Sequence, residues 1–133
     1  MASEPTVFIV DDDSAMRNSL TWLLQSTGLV VQTFASAEEF LAAYDPGTPG
    51  CLVLDNRLPG MSGLALQDEL AARGIKVPLI VITGYAEAGT RADALKRGAL
   101  DCLEKPFSAE ALISRVREAV ETDRRARGLS LKS

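Results

Sequence analysis

Short apolar runs alternate with amphipathic segments five times along the chain. The runs, which have the composition of β-strands, cover residues 6–10, 30–34, 51–54, 79–82 and 101–104. The segments between them carry apolar residues at helical spacing, and this alternation is typical of a parallel sheet with crossover helices. The pattern predicts a doubly wound (βα)5 fold of the α/β class, in three layers α/β/α.

Helix boundaries are marked by capping residues and glycines. The first helix is predicted around residues 14–26, with Gly28 ending it. Ser36 begins the second, and Glu39 three residues later completes a capping-box sequence. The remaining helices are predicted after Ser62, between Gly89 and Gly98, and from Ser108.

Strand composition predicts the order of the sheet. The runs at 6–10, 51–54 and 79–82 are almost wholly apolar, as expected for strands covered on both faces. The runs at 30–34 and 101–104 contain polar residues and are expected at the edges. This favours the strand order 2-1-3-4-5, in which strands 1 and 3 lie side by side at the switch point.

Length and charge limit the classes of function. The 133 residues predict one domain over residues 1–120, followed at 121–133 by an Arg-rich helix end or linker tail. The net charge of −4 argues against nucleic-acid binding by this chain. No apolar stretch approaches the ~20 residues of a membrane span, and the N-terminus has no signal-peptide pattern. Cys51 and Cys102 lie in apolar runs and are expected to be reduced, packed thiols, so a cytoplasmic location is predicted.

Polar side chains follow four of the five predicted strands. Asp11, Asp12 and Asp13 follow the first strand, Asp55 the third, Thr83 the fourth and Lys105 the fifth. In a parallel sheet these positions share the carboxyl edge, where open α/β folds place their binding sites. Acids, a hydroxyl and an ammonium group converging there indicate a magnesium-assisted phosphoryl site.

The acids divide into candidate metal ligands and a helix cap. Carboxylates held together repel one another unless a cation lies between them, and hard oxygen ligands suit magnesium. An acidic triplet can instead be a solvated turn that begins a helix, and Asp13 is expected to take that role. Because Asp55 ends a neighbouring buried strand, Asp11 and Asp12 are predicted to bind metal with it.

The remaining candidates surround a phosphoryl group. Asp55 is the candidate nucleophile, since a carboxylate can accept a phosphoryl group as an acyl phosphate. Thr83 and Lys105 are candidate donors to the phosphoryl oxygens. Gly84 leaves room for an anion and for attacking water, and Pro106 allows a cis bond after the lysine.

Four stretches together resemble a known family. VDDDSAMR, LDNRLPGMSGL, VITGYA and LEKPF match the receiver (CheY-like) domain of two-component response regulators, over residues 5–120. This resemblance implies a flavodoxin-like fold. LPGMSG and ITG look most like the FixJ-like branch, whose members usually carry a C-terminal LuxR-type helix-turn-helix. About a dozen residues follow the last predicted helix, too few for such a domain.

The resemblance implies a role for each site residue. Asp11 and Asp12 would hold magnesium, with manganese as the alternative ion, and the backbone carbonyl of Arg57 would complete the protein ligands. Asp55 would be phosphorylated by a sensor histidine kinase. Thr83 and Lys105 would bind the phosphoryl oxygens and move on activation.

One position departs from the family pattern. Three residues before the lysine the family usually has Tyr or Phe, which swings inward on activation, whereas this chain has Cys102. Either a small apolar residue simply packs there, or the switch works without the usual aromatic. Tyr85 is an alternative carrier of that role, or a gate on water access. Asn56 and Arg57 are expected to line the mouth of the site and to tune dephosphorylation.

The leading hypothesis is a phosphorylation-controlled switch that changes a homodimer or partner surface, controlling transcription through an output domain absent from this chain. Apart from self-catalysed phosphorylation and dephosphorylation, no enzymatic activity is expected. The alternatives are a phosphatase or phosphotransferase with an aspartyl-phosphate intermediate, and a non-phosphorylated interaction module. Arg57 stands where such phosphatases commonly carry a general acid.

Overall fold

The computed structural model describes residues 4–84 and 89–128 of the chain. The five strands are β1 (Thr6–Val10), β2 (Val30–Phe34), β3 (Gly50–Asp55), β4 (Leu79–Thr83) and β5 (Asp101–Glu104). The helices are α1 (Ser14–Gln25), α2 (Ala37–Ala43), α3 (Gly63–Ala72), α4 (Thr90–Lys96) and α5 (Ala109–Ala126). The alternation of five strands with five helices confirms the predicted fold class.

The sheet is parallel throughout and has the order β2-β1-β3-β4-β5. Val10 at the end of β1 pairs with Phe34 on one side and Leu54 on the other. Thr83 at the end of β4 pairs with Glu104 of β5. The predicted order is therefore confirmed, and the carboxyl ends of the strands form one edge of the sheet.

Each face of the sheet packs against its own group of helices. One face, with Phe8, Leu52 and Val81 among its side chains, packs against buried residues of α2, α3 and α4. The other face, which includes Ile9 and Ile80, packs against α1 and α5. Successive strand residues alternate between these faces, and burial on both explains the continuous apolar runs.

Side-chain caps start four of the described helices. Asp13, Ser36, Ser62 and Ser108 each accept a hydrogen bond from a backbone N–H in the first turn of their helix. At α2 the predicted capping box is shifted, because Glu39 accepts from the N–H of Ala35 rather than from that of Ser36. Asp13 caps α1 as predicted.

The last helix continues beyond Val120 to Ala126. The buried carboxylate of Asp123 accepts a hydrogen bond from the N–H of Gly50, at 2.8 Å, and from Nε of Arg127, at 2.7 Å. Residues 121–126 therefore belong to a packed helix. The division into a 1–120 domain and a tail stays a prediction.

Cys51 and Cys102 are both buried, and the two thiols form no disulfide with each other, as predicted. Among the described residues, no helix has the length and apolar character needed to cross a membrane.

Candidate functional site

The predicted site residues meet at the carboxyl edge of the sheet. Asp11 directly follows β1, Asp55 and Thr83 end β3 and β4, and Lys105 directly follows β5. Lys105 is joined to β4 by a hydrogen bond from its N–H to the carbonyl of Thr83, at 2.8 Å. Because the strands are parallel and in register, residues far apart in sequence lie side by side.

Three carboxylates form one cluster. An oxygen from each of Asp11, Asp12 and Asp55 lies within 4.8 Å of the others. Asp11 and Asp55 are buried, whereas Asp12 is exposed. We call these three residues the acid cluster. Two buried anions so close together need a compensating positive charge.

The pKa of the Asp11 carboxyl is raised by its position in the acid cluster. Burial raises the pKa of Asp11 from 3.8 to about 6, and the charges of Asp55 and Asp12 add to the shift. The backbone N–H of Asp13, which donates to Oδ1 at 2.9 Å, and the charge of Lys105 oppose it. The other oxygen, Oδ2, is buried without a hydrogen-bond partner in the described part of the chain. An unsatisfied carboxylate oxygen beside two further carboxylates fits a hard divalent cation such as magnesium.

Asp55 is held at both of its carboxylate oxygens. Oδ1 accepts a hydrogen bond from the N–H of Arg57, at 3.0 Å, and Oδ2 lies 3.4 Å from Nζ of Lys105. The side chain of Asp55 is 9% exposed and that of Lys105 35%. The Asp55 carboxylate therefore sits between a fixed backbone donor and a cation that still reaches solvent. The predicted ligand role of the Arg57 carbonyl remains a prediction.

Thr83 and Gly84 lie beside this carboxylate on the neighbouring strand. Thr83 is buried, and its hydroxyl donates to the carbonyl of Gly84 at 3.3 Å. Among the described residues, a Cβ built on Gly84 would meet no atom within 4 Å. Their roles toward a phosphoryl group stay predictions.

The predicted tuning residues lie in different surroundings, and their roles stay predictions. Asn56 places its side-chain Oδ1 in a buried position without a hydrogen-bond partner among the described residues. The bond between Lys105 and Pro106 is cis. Cys102 is 2% exposed and packs in the apolar cluster of the α2–α4 face. Tyr85 lies outside the described residues.

Sequence reasoning missed two polar contacts around the site. Nη1 of Arg17 donates to the backbone carbonyl of Asp11 at 2.7 Å. Oε2 of Glu38, in the first turn of α2, accepts from the N–H of Met61, in the loop after Asp55, at 3.3 Å. Arg17 lies within the quoted VDDDSAMR stretch, so its proximity to the acids was the available signal. Glu38 lies 23 residues from its partner and had no such signal.

A third missed network joins β5 to its flanking helices. The Asp101 carboxylate is bound by Nε of Arg115 from α5, at 2.6 Å, and by Nη2 of Arg91 from α4, at 3.1 Å. Arg91 also donates to the carbonyl of Cys102. Burial acts to raise the pKa of Asp101, but the hydrogen bonds from Arg115 and from the N–H of Cys102, with the two positive charges, hold it below its ordinary value.

Of two clefts in the described structure, one borders the acid cluster and the other lies away from it. A cleft of about 440 Å³ lies at the opposite edge of the sheet, between α3 and the start of β4, with Leu70 and Val77 in its wall. An open groove lined by Met16, Lys105, Pro106 and Phe107 borders the acid cluster through Lys105. Charge placement, rather than cleft size, locates the site.

Comparison with known proteins agrees with this geometry. A family model for the response regulator receiver domain matches residues 7–117. The chain is 47% identical over 119 residues to the transcriptional regulatory protein TdiR of Thauera aromatica, covering 90% of this chain and 52% of that protein. It is also 47% identical over 114 residues to the transcriptional regulatory protein FixJ of Azorhizobium caulinodans, covering 86% and 54%.

Solved structures give the same result. The response regulator StyR superimposes with a TM-score of 0.90 at 40% identity, over 95% of this chain and 64% of that one. FixJ-N superimposes with a TM-score of 0.82 at 41% identity, over 90% and 95%. The chain spans about half the length of the TdiR and FixJ relatives. Because the family model matches most of the chain and the relatives are up to 47% identical over most of its length, this chain belongs to the response regulator receiver domain family.

Proposed function

We propose that this domain is a phosphorylation-controlled signalling switch of a two-component system, with Asp55 as the phosphoacceptor. The observation that carries the proposal is the setting of the Asp55 carboxylate. It lies within the acid cluster and 3.4 Å from the ammonium group of Lys105. A carboxylate placed between a cation site and a lysine can accept a phosphoryl group while the developing charge is neutralised on both sides.

In the proposed reaction, an oxygen of Asp55 attacks the phosphorus of a phosphohistidine on a sensor histidine kinase. An O–P bond forms, the P–N bond of the donor breaks, and the freed imidazole nitrogen keeps the electron pair and takes up a proton. The N–H of Arg57 donates to Oδ1 of Asp55, whereas Lys105 lies beside Oδ2, and this hydrogen bond orients the carboxylate. Apart from this self-catalysed transfer and the later hydrolysis of its own acyl phosphate, we propose no enzymatic activity.

Asp11, Asp12, Asp55 and the backbone carbonyl of Arg57 would hold the metal in this proposal. Bound magnesium, or manganese in its place, would neutralise the charge on the phosphoryl oxygens. Two observations support the assignment: Oδ2 of Asp11 has no hydrogen-bond partner among the described residues, and burial raises the pKa of the Asp11 carboxyl. The cation would relieve the repulsion between the buried carboxylates.

Phosphorylation would then change the balance between two conformations. The new phosphoryl oxygens would draw in the Thr83 hydroxyl and the Lys105 ammonium group, at the ends of β4 and β5. Moving a population from 1:99 to 99:1 requires ~5.5 kcal/mol of differential stabilisation, which a few charge-assisted contacts can supply. Gly84 would give access to the anion, and Tyr85 and Asn56 would tune the lifetime of the acyl phosphate.

The output we propose is a changed homodimer or partner surface that controls transcription. TdiR and FixJ, which are named transcriptional regulatory proteins, support this, and this chain matches about half of each. The buried Cys102 replaces the usual aromatic, so the proposed conformational change runs through Thr83, Lys105 and α4 without that side chain.

Intact mass spectrometry after incubation with acetyl phosphate and magnesium tests the proposal. We expect a single phosphoryl adduct that disappears in Asp55→Asn and in the presence of chelator. Asp68→Asn is the matched control, because this exposed carboxylate of α3 is paired with Arg97 and lies outside the acid cluster. An adduct that survives Asp55→Asn, or none at any magnesium concentration, would contradict the assignment.

A further inference from the structure

Three of the four polar atoms of Asp11 take part in hydrogen bonds to neighbouring residues. Its N–H donates to the carbonyl of Phe34, at 3.1 Å, and its Oδ1 accepts from the N–H of Asp13, at 2.9 Å. Its backbone carbonyl accepts from Nη1 of Arg17, at 2.7 Å. Among the described residues, only Oδ2 has no partner. These contacts fix the residue in space and leave one carboxylate oxygen for another ligand.

Arg17 acts on the peptide unit that joins two acids of the cluster. The carbonyl of Asp11 belongs to the peptide bond with Asp12, and that unit is planar. Fixing its oxygen therefore fixes the direction in which the chain enters Asp12 as well. Arg17 itself is anchored in α1, where its N–H donates to the carbonyl of Asp13, and it is half-buried. A helix thus holds the loop that carries Asp11 and Asp12.

We propose that Arg17 is a positioning residue for the cation site of the acid cluster. The inference rests on the proposed function, since it assumes that Asp11 and Asp12 bind magnesium. Arg17 would act through the orientation of these two ligands, without contacting the ion. Groups that orient metal ligands in this way typically contribute 10–100-fold to metal affinity.

The positioning role and a purely electrostatic role predict opposite signs. A guanidinium group near a cation site repels the cation, so removing its charge alone would strengthen magnesium binding. Removing its hydrogen bond frees the Asp11–Asp12 peptide and would weaken magnesium binding. The sign of the change in affinity therefore separates the two roles.

The experiment measures the magnesium dissociation constant by isothermal titration calorimetry for three variants. Arg17→Met removes both the charge and the donors, and we expect affinity about tenfold weaker than wild type. Arg17→Lys keeps the charge but lacks the rigid guanidinium fork, and we expect an affinity between those two. Arg117→Met, at an exposed arginine of α5, makes the same change of charge elsewhere and should leave affinity unchanged. The free energy of unfolding in chelator is measured alongside, because a merely structural role would lower it without changing the affinity of the folded protein.

The outcomes separate this inference from the function on which it rests. If the wild type binds no magnesium, the proposed metal site is wrong, and the proposed positioning role of Arg17 is wrong as well. If the wild type binds magnesium and Arg17→Met binds it equally well or more tightly, only the positioning role is overturned. Should Arg17→Met fail to fold, Arg17→Lys decides: weaker binding supports positioning, and unchanged binding contradicts it.

Discussion

Replacing Asp11 by Asn isolates the cost of a buried anion in the metal-free protein. Burial and the neighbouring carboxylates raise the pKa of Asp11 from 3.8 to about 6, whereas in the unfolded chain the carboxyl ionises near its ordinary value. At neutral pH the ionised carboxylate therefore costs the fold about 3 kcal/mol, at about 1.4 kcal/mol per pKa unit. Solvent reaches the cluster beside the exposed Asp12 and screens part of this, so we expect Asp11→Asn to be more stable by about 2 kcal/mol.

Urea unfolding followed by far-ultraviolet circular dichroism, in chelator, measures this gain. The single tryptophan, Trp22, is 76% exposed and is therefore a weak fluorescence reporter of burial. The gain should be full above about pH 6 and should shrink toward about pH 4, because the wild-type carboxyl takes up its proton as pH falls through the raised pKa. Asp13→Asn is the matched control, since Asn also caps helices and the position lies outside the acid cluster.

Magnesium should reverse the ranking. At a concentration of 100 times its dissociation constant, a ligand specific for the folded state adds about 2.7 kcal/mol, and the wild type should gain this while Asp11→Asn gains little. The reasoning fails if Asp11→Asn is no more stable than wild type in chelator at neutral pH. It also fails if the gain persists unchanged at about pH 4.

Three further substitutions test other parts of the structure. Asp101→Asn should lower the free energy of unfolding at neutral pH. Because the pKa of Asp101 is lowered in the folded state, its ionised carboxylate stabilises the fold, and this stabilisation is lost as acid protonates it below about pH 4. Equal losses at neutral and at acidic pH would contradict this. Gly50→Ala should cost about 3 kcal/mol in urea unfolding, because its Cβ would lie 1.8 Å from the carbonyl oxygen of Thr6 and its φ is 146°. Lys105→Gln should raise the pKa of the Asp11 carboxyl, measured by ¹³C NMR, because the positive charge of Lys105 lowers that pKa; an unchanged titration of Asp11 would exclude the lysine as its counter-charge.

The alternation of apolar runs and amphipathic segments determined the class of the fold. Composition separated the central strands from the edge strands, because only strands covered on both faces can be apolar throughout, and β1, β3 and β4 are buried along their whole length. The meeting of Asp11 and Asp55 followed as well, since each comes at the end of one of two adjacent parallel strands. These features depend on local pattern and on a small set of topological rules, so one sequence sufficed.

Only the tertiary structure decided which side chains hold those elements and the site in place. Arg17 orients the carbonyl of Asp11, Glu38 reaches the loop after Asp55, and Asp123 binds the start of β3 from the far end of α5. Each contact depends on the direction of a long side chain and on how a helix lies against the sheet, and hydrophobic periodicity specifies neither. The pKa of Asp11 is decided at the same level, because burial and the distance to other charges exist only once the strands have been brought together.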